Sequence, residues 1–132
     1  MPLRYFLDRS LGSRILPTLL REQGWLVETM DERYGAARSQ HVTDVTWIEN
    51  LREEEIALTS DGKIGKVAIQ VDAIRRCLAC ILVIDANLTA RQQAARLLDS
   101  QARIERVAVA RSGPWILSVG ADGLRDLRMW EG

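Results

Sequence analysis

The sequence predicts an α/β protein, built as a three-layer α/β/α sandwich around a mostly parallel central sheet. Strand-like apolar runs alternate with amphipathic, helix-like segments, which is typical of parallel sheets covered by helices. Four of the apolar runs stop directly before an aspartate, and these are Asp8, Asp31, Asp61 and Asp85. Because parallel strands end at the same edge of a sheet, these aspartates are expected at the edge where open α/β folds bind ligands.

Size and composition favour one domain with its own core. The chain has 132 residues, of which 47% are hydrophobic, and this is enough to bury a sizeable core without disulfides. No linker, low-complexity tract or internal repeat interrupts it, so residues 1–132 are expected to form a single domain. The 18 basic and 18 acidic residues give a formal net charge of zero. This argues against a simple electrostatic nucleic-acid coat, but not against a local site.

Neither a membrane segment nor a zinc site is predicted. The longest unbroken apolar run, residues 77–84, is far shorter than the roughly 20 residues of a membrane span. The first residues lack the apolar region of a signal peptide, so a cytoplasmic protein is expected. Cys77 and Cys80 form one CxxC, but His41 cannot complete a four-ligand zinc site with them. Both cysteines are instead expected to be small apolar residues at a helix-to-strand junction.

The first half of the chain is predicted to contain three strands and two helices. Strands are predicted at residues 5–7, 25–30 and 55–60. A first helix is predicted over 13–23, because apolar residues recur there at helical spacing, with Ser13 as N-cap and Gly24 ending it in a left-handed conformation. Polar residues 30–40 are predicted to form a loop at the active edge. A second helix is predicted over 42–52, with Asp44 in its first turn.

The second half is predicted to contain two further helices and a fourth strand, followed by a tail of different character. A third helix carries apolar residues of one face between positions 64 and 74, and the fourth strand follows at 79–84. Thr89 and Gln92 match a capping box, which predicts a helix from Thr89 to about Ala102. Residues 107–109 and 115–119 are predicted to be short strands. Residues 121–130 form a turn followed by a segment of undefined class.

Carboxylates at one sheet edge have two interpretations. A single aspartate at a strand end is usually a turn residue, because its side chain accepts bonds from nearby backbone N–H groups. Several that converge would repel one another unless a hard cation lay between them. Asp61 is followed by Gly62, which lets backbone approach a ligand, whereas Asp85 could simply begin a turn. Asp44 could either complement the helix dipole or join the site.

Several motifs resemble those of small PIN-like nucleases. These are residues 6–11 (FLDRSL), the helix end at 19–24, residues 42–48 (VTDVTWI) and residues 58–61 (LTSD). Residues 30–35 and 87–90 resemble the subgroup of PIN-like toxins of the VapC type. The resemblance spans roughly residues 4–90. It implies a PIN-like fold and a Mg²⁺- or Mn²⁺-dependent ribonuclease, usually paired with an antitoxin protein in a bacterial operon.

The resemblance also implies a set of site residues. Asp8 and Asp61 are the expected metal ligands, and Asp44 is either a third ligand or orients the attacking water. Asp31 completes the expected catalytic set. Many PIN domains carry a further acid on the helix between the first two acids, but residues 10–23 offer only Glu22 at the helix end. That role would fall to Asp31 or Glu32, or it would be absent.

The substrate of such an enzyme is RNA, so cations and polar groups near the acids are candidate contacts. Phosphate contacts are expected from Arg9, Arg33 and Arg38, although each could equally be a solvated surface residue. Lys63 and Asn87 are further candidates for substrate binding. Trp47, three residues after Asp44, could stack on a base or pack into the core or a subunit interface.

The expected function is therefore a metal-dependent endoribonuclease, the toxin of a toxin–antitoxin pair, which hydrolyses RNA with a metal-activated water. A homodimer is expected, because small PIN domains commonly pair. The alternative is a catalytically inactive PIN-like fold that acts as a protein-interaction module. A phosphorelay receiver would need a lysine at a late strand end, and none follows Lys66. A serine hydrolase would need a nucleophile elbow, which Ser10 lacks.

Overall fold

Six strands form one sheet in the order β2-β1-β3-β4-β5-β6 in the computed structural model, which describes residues 3–131. The strands are β1 Arg4–Leu7, β2 Leu26–Thr29, β3 Glu55–Thr59, β4 Cys80–Ile84, β5 Trp115–Gly120 and β6 Gly123–Asp126. The first five are mutually parallel, and β6 pairs with β5 in the antiparallel direction. The predicted mostly parallel sheet is confirmed.

Helices cover both faces of this sheet. They are α1 Ile15–Glu22, α2 Met30–Tyr34, α3 Ala36–Ser39, α4 Asp44–Glu49, α5 Ala68–Cys77, α6 Ala90–Asp99 and α7 Gln101–Ala110, with a 3₁₀ turn at Arg9–Leu11. Successive strand residues point to opposite faces, so Tyr5 and Leu7 pack with α1, α6 and α7. Phe6 packs on the other face with side chains of α2, α4 and α5. The three-layer sandwich is therefore confirmed.

The segment after β2 differs from its prediction as a loop. Residues 30–40 form α2 and α3 instead. Thr29 and Glu32 make a reciprocal capping box that starts α2, and Gly35, at φ +85°, separates the two helices. The sequence Thr-x-x-Glu is the pattern of such a capping box. The prediction of a loop gave more weight to the polar composition of the segment. Ser13 is also not the N-cap of α1, which begins at Ile15 without a side-chain cap.

The C-terminal third corrects two further predictions. The predicted capping box at Thr89 is confirmed, but its helix ends at Asp99, and a second helix starts at Gln101. Residues 107–109, predicted as a strand, belong to that second helix. Their β-branched residues favoured a strand, yet Val107 follows the buried Ile104 at helical spacing and packs on the same core. The segment of undefined class contains β6.

Cys77 and Cys80 lie at a helix-to-strand junction, as expected. Cys77 ends α5 and Cys80 begins β4, and both are partly buried free thiols. Among residues 3–131, none of the helices is long and apolar enough to cross a membrane.

The order of the strands defines where a ligand can bind. Strand β1 lies between β2 and β3, so the chain leaves β1 toward one side and later returns to the other. This reversal opens a crevice outside the carboxyl ends of β1 and β3, the usual ligand position in open α/β sheets. Leu7 and Leu58 are in register there, and the backbone N–H of Asp8 donates to the carbonyl oxygen of Leu58 over 3.1 Å.

Candidate active site

Asp8 occupies this crevice and is buried, with only 4% of its surface exposed. Its Oδ1 accepts from the backbone N–H of Ser10 over 3.0 Å and from the Ser10 hydroxyl. Its Oδ2 accepts from the Thr59 hydroxyl over 2.6 Å. Burial raises the pKa of Asp8 from 3.8 to about 6, the hydrogen bonds from Ser10 and Thr59 lower it, and the nearby charge of Asp44 raises it further. A carboxylate in this position is stabilised by a cation.

Asp44 lies in the first turn of α4, as predicted, and Thr43 caps that helix. Both oxygens of the Asp44 carboxylate accept hydrogen bonds: Oδ1 from Trp47 Nε1 over 2.9 Å, and Oδ2 from Gln70 Nε2 over 3.1 Å. The charge of Asp44 also makes a small contribution to the raised pKa of Asp8. The two predicted residues therefore lie within electrostatic range of one another.

Trp47 belongs to the core. Its side chain is fully buried, and its ring centroid lies 5.8 Å from that of Phe6. The ring is thus unable to stack on a base. Its indole N–H still reaches the Asp44 carboxylate, so the residue supports the site from within the core.

Asp61 follows β3 by two residues and lies at the same edge. Its backbone N–H donates to the Thr59 hydroxyl over 3.0 Å, the same hydroxyl that donates to Asp8. The Asp61 carboxylate accepts from the backbone N–H of Lys63 over 2.9 Å. Thr59 therefore connects the Asp8 side chain with the backbone of Asp61.

Asp31 is not a strand-end residue, because it lies in the first turn of α2. Its carboxylate accepts from the Ser39 hydroxyl of α3. Asp31 lines a cleft of about 570 Å³ together with Arg9 and Ser39. The guanidinium of Arg9 donates to the Ser39 carbonyl oxygen over 3.1 Å, so Arg9 holds α3 while facing this cleft.

Arg33 is located away from the acidic edge. Its side chain is 7% exposed and forms ion pairs with Glu28, at 2.7 Å, and with Glu55. It also lies over the Phe6 ring, 4.3 Å from the centroid. Since Glu55 begins β3, this cluster holds the opposite end of the strand. Arg33 is thus a buried structural cation, and the predicted phosphate contact is not available to it.

The remaining predicted contacts are exposed. Arg38 is exposed in α3, and Lys63 is exposed in the loop after β3. Asn87 lies after β4, where its backbone N–H donates to Asp85 Oδ1 over 2.9 Å. Asp85 therefore begins a turn, one of its two interpretations. Glu32 is used by the capping box and by Arg21, which leaves Asp31 as the candidate for the further acid.

Two site contacts were not predicted. The Ser10 hydroxyl donates to Asp8 and accepts from the backbone N–H of Ser60 over 2.9 Å. Its position two residues after an aspartate could have signalled a local turn. Gln70 gave no comparable signal, because a neutral amide in an amphipathic helix is ordinary in any protein.

The donor set agrees with a hard divalent cation, although not as a finished three-ligand site. Within residues 3–131, no three His, Cys, Asp or Glu side chains form a group placed to hold a metal ion. Asp8, Asp44 and Asp61 share one edge, but they are not gathered around one point. Mg²⁺ commonly takes only one or two carboxylates and keeps several waters. Asp8 and Asp44, whose charges interact, offer carboxylate oxygens of this kind.

Sequence comparisons define the class. The family described as a PIN like domain matches residues 3–86, and the chain belongs to this family. It is 36% identical over 116 residues to the protein named "Putative ribonuclease VapC45" of Mycobacterium tuberculosis (strain ATCC 25618 / H37Rv), covering 86% of this chain and 83% of that protein. No solved structure matches the chain. The resemblance to PIN-like proteins of the VapC type, predicted from the sequence, is confirmed.

Proposed function

We propose that this protein is a divalent-metal-dependent endoribonuclease and the toxin of a bacterial toxin–antitoxin pair. The observation that carries the proposal is the buried Asp8, with its raised pKa, beside the charge of Asp44 at the ligand-binding edge of the sheet. Similarity to a relative whose name describes it as a ribonuclease supports the choice of RNA as substrate.

Asp8 and Asp44 would hold a Mg²⁺ or Mn²⁺ ion, and Asp61 would contribute from the loop after β3. Such an ion neutralises charge on the phosphate and lowers the pKa of a water nucleophile. The protein's own part is to orient the carboxylates. Ser10 and Thr59 donate to Asp8, which orients its two oxygens and favours the charged form that binds cations.

RNA would lie along the same edge. Arg38 and Lys63 are exposed, and their positive charge would attract phosphates toward the acids. Arg9 and Asp31 line the neighbouring cleft, where a nucleotide next to the cleaved bond could bind. Asn87 is a further candidate contact. Because the net charge of the chain is zero, this attraction is local and should weaken strongly with salt.

Two protein partners follow from the proposal. An antitoxin would inhibit the enzyme by covering the acidic edge. A second copy of the chain would pair through exposed apolar side chains near the start of α5, where Val67 is 49% and Ile69 63% exposed. Trp130 is 46% exposed, and its backbone N–H donates to the Gly65 carbonyl oxygen over 2.8 Å, close to that surface. Light scattering at micromolar concentration tests the dimer, and a monomer would contradict it.

The activity is tested by incubating purified protein with structured and unstructured labelled RNA, with Mn²⁺, with Mg²⁺ and with EDTA. Wild type is expected to cleave only with a divalent cation, and Asp8→Asn or Asp44→Asn should lose that cleavage. Asp72→Asn is the charge-matched control, because Asp72 is exposed on α5 and pairs with Arg76 on its own helix. If wild type cleaves no more than Asp8→Asn, the enzyme proposal is wrong.

One observation favours a second candidate, an inactive PIN-like interaction module. The described residues lack a ready three-ligand metal group, as an inactive descendant of a nuclease would. The same assay separates the two functions. A protein that forms a tight complex with its antitoxin but never cleaves RNA would support the module.

A further inference from the structure

We propose that Gln70 is a positioning residue that fixes Asp44 and the loop carrying Asp61 relative to one another. This inference rests on the proposed function, because it concerns how that site receives its cation. Gln70 lies in the first turn of α5, the helix that follows the Asp61 loop. Among residues 3–131, its side chain is the only one that forms hydrogen bonds with both Asp44 and the backbone of this loop.

Each end of the Gln70 amide has a partner. Its Nε2 donates to Asp44 Oδ2 over 3.1 Å. Its Oε1 accepts from the backbone N–H of Gly65 over 3.2 Å. Rotating the amide by 180° would place its oxygen against the carboxylate and its NH₂ against an N–H donor, so the chemistry of the partners allows only this orientation.

The second partner connects Gln70 with Asp61. Gly65 belongs to a tight segment in which the backbone N–H of Ile64 donates to the Asp61 carbonyl oxygen over 3.1 Å. Ile64 is buried in the core, and Gly65 has φ +79° with Ile116 packed closely against it. These contacts fix the position of the segment, and the two hydrogen bonds of Gln70 connect it with Asp44.

Asp44 depends on this contact for its orientation. Trp47 holds only Oδ1, which leaves the carboxylate free to rotate about its bond to Cβ unless Oδ2 is also held. Groups that orient metal-binding carboxylates commonly change metal affinity ten- to hundredfold when removed. Loss of the Gln70 amide should therefore weaken cation binding while leaving all three acids in place.

The matched pair of variants is Gln70→Met and Gln101→Met. Both glutamines are partly buried, both lie in the first turn of a helix, and both donate from Nε2 to a carboxylate, since Gln101 bonds Glu105 over 3.2 Å. Methionine keeps the side-chain length and the helix propensity, but it has no N–H donor. Calorimetric titration with Mn²⁺ measures the affinity of each protein.

We expect Gln70→Met to bind Mn²⁺ about ten- to hundredfold more weakly than wild type, and Gln101→Met to bind it as wild type does. An RNA cleavage assay at a fixed, subsaturating Mn²⁺ concentration should show a lower kcat for Gln70→Met at an unchanged KM for RNA, because the side chain of Gln70 bonds Asp44 and Gly65 and acts through them. Wild-type affinity in Gln70→Met would overturn the role of Gln70 and leave the proposed function intact. A wild type that neither binds Mn²⁺ nor cleaves RNA would overturn both.

A measurement on unaltered protein covers the case in which Gln70→Met does not fold. In ¹⁵N-labelled wild type titrated with Mg²⁺, the side-chain signals of Gln70 Nε2 and Trp47 Nε1 should shift with one common apparent Kd, because both donate to Asp44. The Gln101 Nε2 signal should stay constant. A Gln70 signal that stays constant while that of Trp47 shifts would overturn the inference.

Discussion

The Thr59 hydroxyl donates to Asp8 Oδ2 over 2.6 Å, and both side chains are buried, Thr59 completely. The same hydroxyl accepts from the backbone N–H of Asp61. One oxygen atom thus connects the ends of β1 and β3 at the point where the order of the strands reverses. The bonds that hold the strand ends together therefore also orient the carboxylate of Asp8, the proposed cation ligand.

The first prediction concerns the pH dependence of stability in metal-free buffer. The pKa of Asp8 is raised from 3.8 to about 6, mainly by burial, so the folded protein favours the neutral acid. Its stabilising contribution is complete below about pH 4 and is lost as pH rises through about 6. This difference between the folded and unfolded pKa corresponds to about 3 kcal/mol. Asp8→Asn, which stays neutral, should therefore gain in free energy of unfolding relative to wild type from pH 4 to pH 8.

Urea unfolding with EDTA at several pH values measures this difference. The asparagine can keep its oxygen toward Ser10 and donate its NH₂ to the Thr59 hydroxyl, so the variant should remain folded. A difference between wild type and Asp8→Asn that stays constant over this pH range would contradict the raised pKa.

The second prediction concerns the Thr59 hydroxyl itself. Thr59→Val keeps the shape of the side chain but leaves Asp8 Oδ2 and the Asp61 N–H one partner short. A buried group without its partner costs about 1–3 kcal/mol, so the free energy of unfolding should fall by about that amount, mainly through the buried Asp8. Thr59→Ser keeps the hydroxyl and is the control. Chemical denaturation at pH 7 compares them, and equal stability of the two variants would show that the hydroxyl has no such role.

The sequence predicted the acidic edge because its signals are local. Asp8 follows an apolar run, and Asp44 begins an amphipathic helix, so both positions could be inferred from strand and helix ends. The fold then places the end of β1 and the start of α4 within electrostatic range of one another, at the edge where open α/β folds bind ligands. The capping box of α2 is also visible in the sequence, as Thr29 and Glu32. It was missed because the polar composition of residues 30–40 favoured a loop.

Other features depend on partners that are distant in sequence. From the sequence, Arg33 was expected to be an exposed cation. In the structure its guanidinium is buried and forms ion pairs with Glu28 of β2 and Glu55 of β3. Acidic residues inside otherwise apolar strands are the only sequence signal of such a cluster. Gln70 meets Asp44 from 26 residues away, and no periodicity or motif marks that contact. The packing of α4 against α5 decides it.

The third prediction tests the assignment of Arg33 as a structural cation. Arg33→Met leaves the buried Glu55 carboxylate, 2% exposed, without its cation, and breaking a buried pair in this way costs about 3–5 kcal/mol. Adding Glu55→Gln should recover much of that loss, because the buried charge is then removed as well. Arg21→Met is the control, since Arg21 pairs with Glu32 at the surface and should matter far less. Guanidinium denaturation measures all four proteins; full stability of Arg33→Met would contradict the assignment.

The fourth prediction separates cation binding from catalysis. An ion that binds only the folded protein stabilises it by about 2.7 kcal/mol at a concentration of 100 times its Kd, so saturating Mn²⁺ should raise the Tm of wild type, and EDTA should reverse the change. Asp44→Asn should lose most of this increase, because one of the two neighbouring carboxylates is gone. Asp72→Asn removes the same charge from an exposed position of α5 and should keep the full increase. If Mn²⁺ raises the Tm of Asp44→Asn and Asp72→Asn equally, the ion binds elsewhere, since loss of general negative charge is common to both variants.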